Sequence, residues 1–385
     1  MRILLVVNAS ASSVTARTRV LIQQGLGAAH DLRVAETSRR GHAMRLAQGA
    51  AADGVDVVAV LGGDGTLNEA ANGLAGTSTA LGVLPGGSTN VFARSIGMVN
   101  DPHAATIQLL DSLANDEPRP VSLGRVNGRY FLFHVGFGFD AMVVAEVEKR
   151  SLLKRYFGAA VFAGAAVMAW TRYDRHSPWF TVDVPDRPPM SGYFAVCMRT
   201  SPYTFVGTAR LEPAPGTSLD TGMSLVVCEK LSLTDLLGLV SSSLVRGGSS
   251  GSPASSGSPA SSGSSGSAGS PGSASASGGA GGPSASGASG ASGRAGRRRR
   301  EPNELTAGTR RLPFDLARHS RLLRDVTRAE VAALRPVPYQ VDGDYLGLAD
   351  HLTFRDAPDA IRLVMPRGAP PRPAGVPPTP TGSGK

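Results

Sequence analysis

The chain is poor in cysteine and in aromatic residues, and it has no long apolar run. Only two of its 385 residues are cysteines, Cys197 and Cys228, and neither forms a CxxC pair or has histidines nearby in the sequence. The sequence therefore predicts neither a disulfide framework nor a zinc site, and a reducing compartment fits best. The longest apolar candidate, 157–170, is shorter than the roughly 18 to 20 residues that span a bilayer, so we expect a packed helix there.

The excess of positive charge is local. The chain carries 39 Lys and Arg against 30 Asp and Glu, a formal net charge of +9. Five of these charges lie in Arg294 and in the run 297–300, and without them the charge is +4. This balance is ordinary for a chain of this length, so we expect no nucleic-acid partner. The arginine run is either a solvated charge run or a contact for acidic headgroups.

The first 110 residues alternate between apolar runs and helical stretches. The apolar runs are 3–7, 55–61 and 80–84, and helical stretches follow residues 13, 41, 66 and 89. The opening apolar run is too short for a signal peptide and predicts a buried strand. Strand and helix in alternation predict a parallel sheet, in which ligands lie beyond the carboxyl ends of the strands.

From about residue 118 the sequence becomes rich in strands. The runs 121–126 and 130–135 flank Asn127-Gly128, which predicts a tight β-hairpin. Later runs predict an antiparallel β-sandwich. The overall prediction is an α/β protein with a three-layer parallel-sheet domain followed by this sandwich. The parallel-sheet domain is predicted at 1–117 and the sandwich at 118–246 and 312–366. The segment 247–311, rich in Ser, Gly, Ala and Pro and also in Arg, is predicted to be a disordered insertion, and 367–385 a disordered tail.

A glycine-rich loop, Gly62-Gly-Asp-Gly-Thr-Leu-Asn68-Glu69, directly follows the strand that ends near residue 61. Glycines allow backbone N–H groups to approach a phosphate closely, and a helix that begins there adds a favourable dipole. Asp64 would repel phosphates unless it binds Mg²⁺ or positions the acceptor. No lysine follows the glycines, so the loop is not a Walker A motif. The alternative is a plain glycine turn with Thr66 as a helix cap.

A second loop, Pro85-Gly-Gly-Ser-Thr-Asn90, follows the next strand in the same way. Ser88 can donate to a phosphate oxygen, and Asn90 can cap or hold the loop. Two such loops after neighbouring strands converge on one crevice, which predicts a shared anionic ligand.

The motifs together resemble those of the bacterial diacylglycerol kinase-type lipid kinases. They are GGDGTLNEA, PGGSTNVFAR, GFGFDA at 136–141 and VDGD at 341–344, in this order and over most of the chain. GGDGT alone is also shared with NAD kinases and, as GGDG, with 6-phosphofructokinases. The resemblance implies an α/β nucleotide-binding domain, a C-terminal β-sandwich and an active site in the cleft between them.

The resemblance also implies the residues that bind ATP. Ser88 stands where the family usually has Thr, and Ala9 follows Asn8 where the family has Pro. The implied ATP-binding residues are Asn8, Thr37, Gly62, Gly63, Asp64, Gly65, Thr66, Asn68, Glu69, Gly87, Ser88 and Asn90.

A structural metal loop of the family resembles Asp-Asp-Gly-x-Leu-Asp, but this chain reads Asp220-Thr-Gly-Met-Ser-Leu225. Two carboxylates are missing. Asp220 is therefore either the remnant of a metal site or a turn residue, and the turn residue is favoured.

The turn Asp342-Gly343-Asp344 follows a strand-like run at 338–341. Asp-Gly is typical of a hairpin turn, but the resemblance implies catalysis. Phosphoryl transfer needs Mg²⁺ to neutralise phosphate oxygens and a residue to accept the proton of the attacking hydroxyl. The candidates are Asp64, Asp342 and Asp344. His134 and His351 are expected to be packing or surface residues.

The expected function is an ATP- and Mg²⁺-dependent kinase that phosphorylates the hydroxyl of diacylglycerol or a similar lipid. It would work from the cytoplasm at the inner face of the membrane. The alternatives are an NAD kinase-like enzyme with a soluble substrate and a non-catalytic relative that binds lipid or nucleotide. The sequence does not predict the oligomeric state or the lipid.

Overall fold

The computed structural model describes residues 1–149, 164–174, 176–206, 209–230 and 319–367. These residues belong to one unit of the chain. The insertion at 247–311 and the tail from residue 368 lie outside the described residues. So do residues 231–245, where Leu and Val spaced three and four apart predict a helix, and the basic residues Arg150, Lys154 and Arg155, a candidate for membrane docking beside the apolar stretch.

The order of elements agrees with a mixed α/β fold. The helices are α1 Ala16–Ala29, α2 His42–Ala52, α3 Asp64–Leu74, α4 Val91–Ser95, α5 Pro102–Asn115 and α6 Phe139–Glu148. The first eight strands are β1 Arg2–Val7, β2 Asp31–Glu36, β3 Val57–Gly62, β4 Ala80–Pro85, β5 Arg119–Val126, β6 Arg129–Phe131, β7 His134–Gly138 and β8 Phe180–Asp183. The other eight are β9 Met190–Gly192, β10 Phe194–Met198, β11 Thr204–Val206, β12 Ala209–Leu211, β13 Met223–Cys228, β14 Ser320–Val326, β15 Arg328–Val341 and β16 Asp344–Leu363.

The N-terminal strands form a parallel sheet in the order β2-β1-β3-β4. Every residue of β3 and β4 is buried, as expected of strands covered on both faces. The three apolar runs identified in the sequence are β1, β3 and β4, which confirms the prediction of a parallel sheet. The glycine-rich loops follow β3 and β4, which are neighbours, so both loops lie at the same edge of the sheet.

The C-terminal part is antiparallel, as predicted. Strands β14, β13, β10, β7, β15 and β16 are neighbours in this order. Strand β16 is 20 residues long, and its end pairs in parallel with β4 through Arg362 and Leu363. A buried core lies on the parallel sheet and another between the antiparallel strands. One sheet thus runs from the parallel strands into the antiparallel ones, and the division near residue 117 stays a prediction.

Two hairpin turns of the antiparallel part have a left-handed backbone at both central residues. The φ angles are 45° at Asn127 and 91° at Gly128, and 49° at Asp342 and 84° at Gly343. Positive φ at both positions is the signature of the type I′ turn, which Asn-Gly and Asp-Gly favour. The predicted hairpin at Asn127 is therefore confirmed, and the turn at Asp342 joins β15 to β16.

Part of the apolar stretch at 157–170 is described. Residues 164–172 are helical, and Ala165, Ala166 and Ala169 are buried. In the described part of the chain, no helix combines the length and the apolar composition that a bilayer crossing requires.

Candidate active site

The two glycine-rich loops touch each other through their backbones. The N–H of Gly86 donates to the carbonyl of Gly62 at 2.8 Å. A Cβ placed on Gly87 would lie 2.8 Å from the Cα of Gly63, which is closer than real Cβ atoms approach other heavy atoms. The close contact therefore requires glycine at position 87. The loops form one continuous edge, as expected of loops that share a ligand.

Asp64 holds the two loops together. It is the first residue of α3, and its carboxylate accepts hydrogen bonds from the backbone N–H groups of Val91 at 2.9 Å and Phe92 at 3.0 Å. These N–H groups belong to the first turn of α4, where they have no partner inside the helix. Asp64 thus has a structural task that the sequence analysis missed, beside the predicted role in binding Mg²⁺ or positioning the acceptor.

Asn8 and Thr66 connect β1 to the first loop. The Asn8 side chain donates to Oγ1 of Thr66 at 2.9 Å and accepts from the N–H of Ser10 at 3.1 Å. Asn8 can therefore hold its loop without the proline that the family has after it. Thr66 lies inside α3, whose N-cap is Gly63, so the alternative reading of Thr66 as a helix cap is wrong.

Asn90 and Ser88 take different places in the second loop. Asn90 is buried with φ at 49°, and its side chain accepts from the N–H of Gly87 and donates to the carbonyl of Gly87, both at 2.8 Å. Asn90 therefore shapes the loop. Ser88 is exposed at its tip, where its hydroxyl is free to meet a ligand.

Glu69 caps a neighbouring helix. Its carboxylate accepts from the N–H of Gly41 at 2.7 Å and of Ala43 at 3.2 Å, at the start of α2. The loop that Glu69 holds contains Thr37, whose N–H donates to the carbonyl of Val7 at the end of β1. Both predicted ATP-binding residues lie near the same sheet edge, but the carboxylate of Glu69 is engaged with backbone.

Asp342 is a buried carboxylate surrounded by donors. It is 3% exposed, and it accepts from the N–H groups of Leu132, Phe133 and His134 at 2.7, 3.0 and 3.1 Å. The side chain of Asn68 adds a fourth bond at 2.7 Å. Burial raises the pKa of Asp342 to about 7, although all four bonds lower it. Because both carboxylate oxygens of Asp342 are buried and accept hydrogen bonds, the residue stabilises the fold around the turn and is badly placed to contact a substrate.

Asp344 faces the first glycine-rich loop. A Cβ placed on Gly65 would lie 3.1 Å from Oδ2 of Asp344, and the Asp344 side chain is 30% exposed. Arg40 from the loop after β2 approaches Asp344 at 3.8 Å and Glu148 at 3.5 Å. Burial raises the pKa of Asp344, opposed chiefly by the positive charge of Arg40. Of the two carboxylates of the turn, that of Asp342 is therefore buried and that of Asp344 is accessible.

Asn68 links these groups. Besides Asp342, its side-chain N–H₂ donates to the carbonyl of Tyr130 at 2.9 Å, and its oxygen accepts from Arg129 at 2.7 Å. The residue is 1% exposed. Asn68 therefore connects α3 to strand β6 and to the Asp342 turn, and its buried amide is a structural link.

His134 is a packing residue, as expected. Its ring lies between those of Phe133 and Tyr203, with centroids 4.8 and 4.3 Å away. Burial lowers the pKa of His134 to about 3, so the ring is neutral at ordinary pH. His351 is exposed on strand β16, and its backbone carbonyl accepts from the side chain of Asn127 at 2.9 Å.

The loop around Asp220 does not fit a structural metal. The Asp220 carboxylate pairs with Arg119 at 3.4 Å. Behind it, the guanidinium of Arg199 donates to the carbonyls of Thr221, of Leu219 at 2.7 Å and of Ser122 at 3.0 Å. Arg199 is 1% exposed. Side-chain cations therefore occupy the oxygens that a metal would need, and among the described residues no three metal-ligating side chains cluster. The metal role of Asp220 has no support.

The sequence analysis missed Arg40, Glu148 and Arg129. Arg40 follows Thr37 closely in the loop after β2, so its position at the sheet edge could have been found. Glu148 is the last residue of α6, and it is linked to the site by its contact with Arg40 at 3.5 Å and by the hydrogen bond from the N–H of Tyr345 at 3.1 Å. No sequence signal marks it.

The fold and the site together define a mixed α/β protein in which two glycine-rich loops and a set of polar side chains meet at the carboxyl ends of the parallel strands. The model of the diacylglycerol kinase catalytic domain family matches residues 2–126. Residues 2–126 thus belong to that family, which confirms the resemblance inferred from the motifs.

Individual relatives agree with this assignment. A diacylglycerol kinase of Bacillus subtilis is 30% identical over 213 residues, 54% of this chain and 66% of the relative. A Pseudomonas aeruginosa protein named "Probable lipid kinase YegS-like" is 38% identical over 164 residues, 42% of this chain and 51% of that protein. The chain thus matches between half and two thirds of the length of these curated relatives.

The fold also matches solved structures. A crystal structure of a diacylglycerol kinase from Bacillus anthracis has a TM-score of 0.57 with 15% identity, and the match covers 96% of this chain and 98% of that chain. A further structure from the same organism gives a TM-score of 0.62. At this identity the likeness confirms the α/β fold with its antiparallel C-terminal part.

Proposed function

We propose that this protein is an ATP- and Mg²⁺-dependent lipid kinase that transfers the γ-phosphoryl group to the hydroxyl of diacylglycerol or a related lipid. The observation that carries the proposal is the position of Asp344. Its accessible carboxylate stands directly beside Gly65 in the first glycine-rich loop. A potential proton acceptor and a potential phosphate cradle thus lie side by side, as phosphoryl transfer requires.

The nucleotide phosphates would bind at the edge formed by the two glycine-rich loops. The N-cap residue of α3, Gly63, makes no side-chain cap, and the backbone N–H groups and the dipole at a helix N-terminus favour negative charge. The exposed hydroxyl of Ser88 can donate to a phosphate oxygen. Asp64 would keep the two loops in register, because it binds the first turn of α4.

Asp344 would accept the proton of the attacking hydroxyl. An alcohol is too weak an acid to ionise beforehand at neutral pH, so the proton leaves as the bond to phosphorus forms. Burial raises the pKa of Asp344, which makes its carboxylate a better acceptor. Arg40, at 3.8 Å from Asp344, is long and exposed enough to turn toward phosphate oxygens when ATP is bound.

The site fits Mg²⁺ by the chemistry of its donors. Mg²⁺ is commonly held by one or two carboxylates together with substrate phosphates. Glu148 offers a partly exposed carboxylate, 34% accessible and 3.5 Å from Arg40, and Asp64 lies in the loop itself. When bound, Mg²⁺ would neutralise the charge on the phosphate oxygens.

The antiparallel part would bind the lipid. In this proposal residues 1–117 bind the nucleotide, the strands of 118–246 and 312–366 bind the acceptor, and the protein acts from the cytoplasm on the inner membrane face. The names of the relatives support a lipid acceptor, and the antiparallel part supplies the turn that carries Asp344.

A direct assay tests the proposal. The full chain is incubated with γ-labelled ATP and Mg²⁺ in mixed micelles that contain diacylglycerol, a sphingoid base, ceramide or a polyprenol, and with NAD as the soluble control. We expect label in one or more lipids and none in NADP. Label in NADP alone would favour the NAD kinase alternative, and no transfer to any acceptor while ATP still binds would favour a non-catalytic relative.

A further inference from the structure

The turn that carries Asp344 is braced from below by a fully buried glutamine. Gln340 is 0% exposed and lies in β15, two residues before Asp342. Its side-chain oxygen accepts the backbone N–H of Gly343 at 2.8 Å. In an ordinary two-residue hairpin turn, this N–H is left to water. Here a side chain from the core binds the residue immediately before Asp344.

The other end of the Gln340 amide is anchored by a second buried carboxylate. Its N–H₂ donates to Oδ2 of Asp140 at 3.0 Å, and the hydroxyl of Tyr203 donates to Oδ1 of Asp140 at 2.5 Å. Only one orientation of the amide satisfies both neighbours, because Gly343 offers a donor and Asp140 offers acceptors. The bonds therefore fix the rotation of the amide as well as its position.

The sequence makes room for this bridge. A Cβ placed on Gly136 would overlap the Asp140 carboxylate and lie 2.6 Å from Nε2 of Gln340. Gly136 and Gln340 are paired across β7 and β15, so any side chain at position 136 would enter the space of the bridge. The glycine of the GFGFDA segment thus has a packing reason that involves Gln340.

We propose that Gln340 is a positioning residue for the phosphoryl-transfer step, which holds the Asp344 carboxylate toward the first glycine-rich loop through the backbone of Gly343. The inference rests on the proposed function. The side-chain hydrogen bonds of Gln340 go to Gly343 and Asp140, so it acts through the turn. A displacement of about 1 Å at a reacting group can lower a rate by roughly a hundredfold, so loss of the brace should be visible in kcat.

The first test is a double-mutant cycle with Gln340→Met and Asp344→Asn in the full chain, assayed for lipid phosphorylation. Methionine keeps the length of the side chain and removes both hydrogen bonds. We expect Gln340→Met to lower kcat by about 10- to 100-fold with the KM for ATP within about twofold. Added to Asp344→Asn, it should lower kcat no further, because the group that it positions is already gone.

A matched control separates positioning from general destabilisation. Val337 lies in the same strand as Gln340, is 1% exposed and belongs to the buried core of the antiparallel part. Val337→Ala should therefore lower the melting temperature while kcat stays near the wild-type value. Wild-type kcat in Gln340→Met would overturn the proposal. An equal fold-loss of kcat with and without Asp344 would also overturn it, because the effect would then not pass through that residue.

Amide hydrogen exchange on the wild-type protein tests the brace without any variant or activity. We expect the N–H of Gly343 to be protected although the residue itself is exposed. Exchange at the rate of an unstructured peptide would overturn the proposal. If the wild type phosphorylates no lipid, the proposed function fails, and the exchange result still decides whether Gln340 holds the turn.

Discussion

Asn substitutions at the two aspartates of the turn should affect different properties. Asp344→Asn should lower the rate of phosphoryl transfer, and Asp342→Asn should lower the stability of the fold. Asp344→Asn keeps the shape of a side chain that is 30% exposed and whose nearest cation, Arg40, is 3.8 Å away. Loss of such a partly exposed pair changes stability by about 0 to 1 kcal/mol. Loss of the proposed proton acceptor should lower kcat by roughly 10²- to 10⁴-fold. The KM for ATP should change little, because the glycine-rich loops that we propose bind the phosphates lie in the parallel part.

Asp342→Asn acts on folding instead. The carboxylate of Asp342 meets four donors, and an amide can place only its oxygen against them while its N–H₂ faces other N–H groups. Each buried donor left without a partner costs about 1 to 3 kcal/mol. With one or two donors affected, we expect a loss of about 2 to 4 kcal/mol, or roughly 4 to 16 °C in melting temperature.

Thermal unfolding by circular dichroism and lipid phosphorylation kinetics measure the two effects. Asp350→Asn, an exposed site on the same strand, is the control for both and should change neither. The reasoning is refuted if Asp344→Asn keeps wild-type kcat, or if Asp342→Asn melts at the wild-type temperature.

Four further outcomes follow from the same contacts. Asp64→Asn should lower both the melting temperature and ATP binding, since it weakens the link between the loops; unchanged values in calorimetry would contradict this. Gly87→Ala places a Cβ 2.8 Å from Gly63 and should raise the KM for ATP about tenfold or more at unchanged secondary structure, and an unaltered KM would argue against a shared phosphate site. Arg199→Met should lower the free energy of unfolding by about 3 to 5 kcal/mol, because it leaves buried oxygens without their cation. EDTA should not shift the melting temperature of the wild type, and a downward shift would indicate a bound metal. The pKa of Asp342 is raised from 3.8 to about 7, so the folded state retains a proton that the unfolded state releases. The free energy of unfolding of the wild type, measured in urea titrations, should therefore fall by up to about 4 kcal/mol as pH rises from 4 to 7. The Asp342→Asn protein should lack this pH dependence.

Local sequence patterns were sufficient for the strands and turns near the site. Runs of buried apolar residues identified β1, β3 and β4 within two residues at each end, because strands covered on both faces are apolar throughout. Glycines at the ends of β3 and β4 identified the loops, because few other residues allow such close backbone contact. The turn residues Asn127-Gly128 and Asp342-Gly343 were recognisable, because they tolerate positive φ.

The roles of the polar side chains were harder to predict. Asp64, Glu69 and Asn90 were expected to bind ATP, and their side chains cap helices or shape loops. Asp, Glu and Asn are suited to both tasks, because the same oxygen atoms accept from backbone N–H groups and bind ligands. Nothing in a single sequence separates the two uses.

The sequence by itself determined the buried strands β1, β3 and β4, the two glycine-rich loops after β3 and β4, and the motifs that resemble the family, since each depends on neighbours along the chain. Only the tertiary structure decided which carboxylate of the Asp342-Gly343-Asp344 turn is accessible, and that Gln340 braces it. These outcomes depend on contacts between Asp342 and Asn68, 274 residues apart, and between Gln340 and Asp140, 200 residues apart. The physical reason is that burial and hydrogen bonding, which set the accessibility and the pKa of a carboxylate, come from whichever groups the fold packs around it.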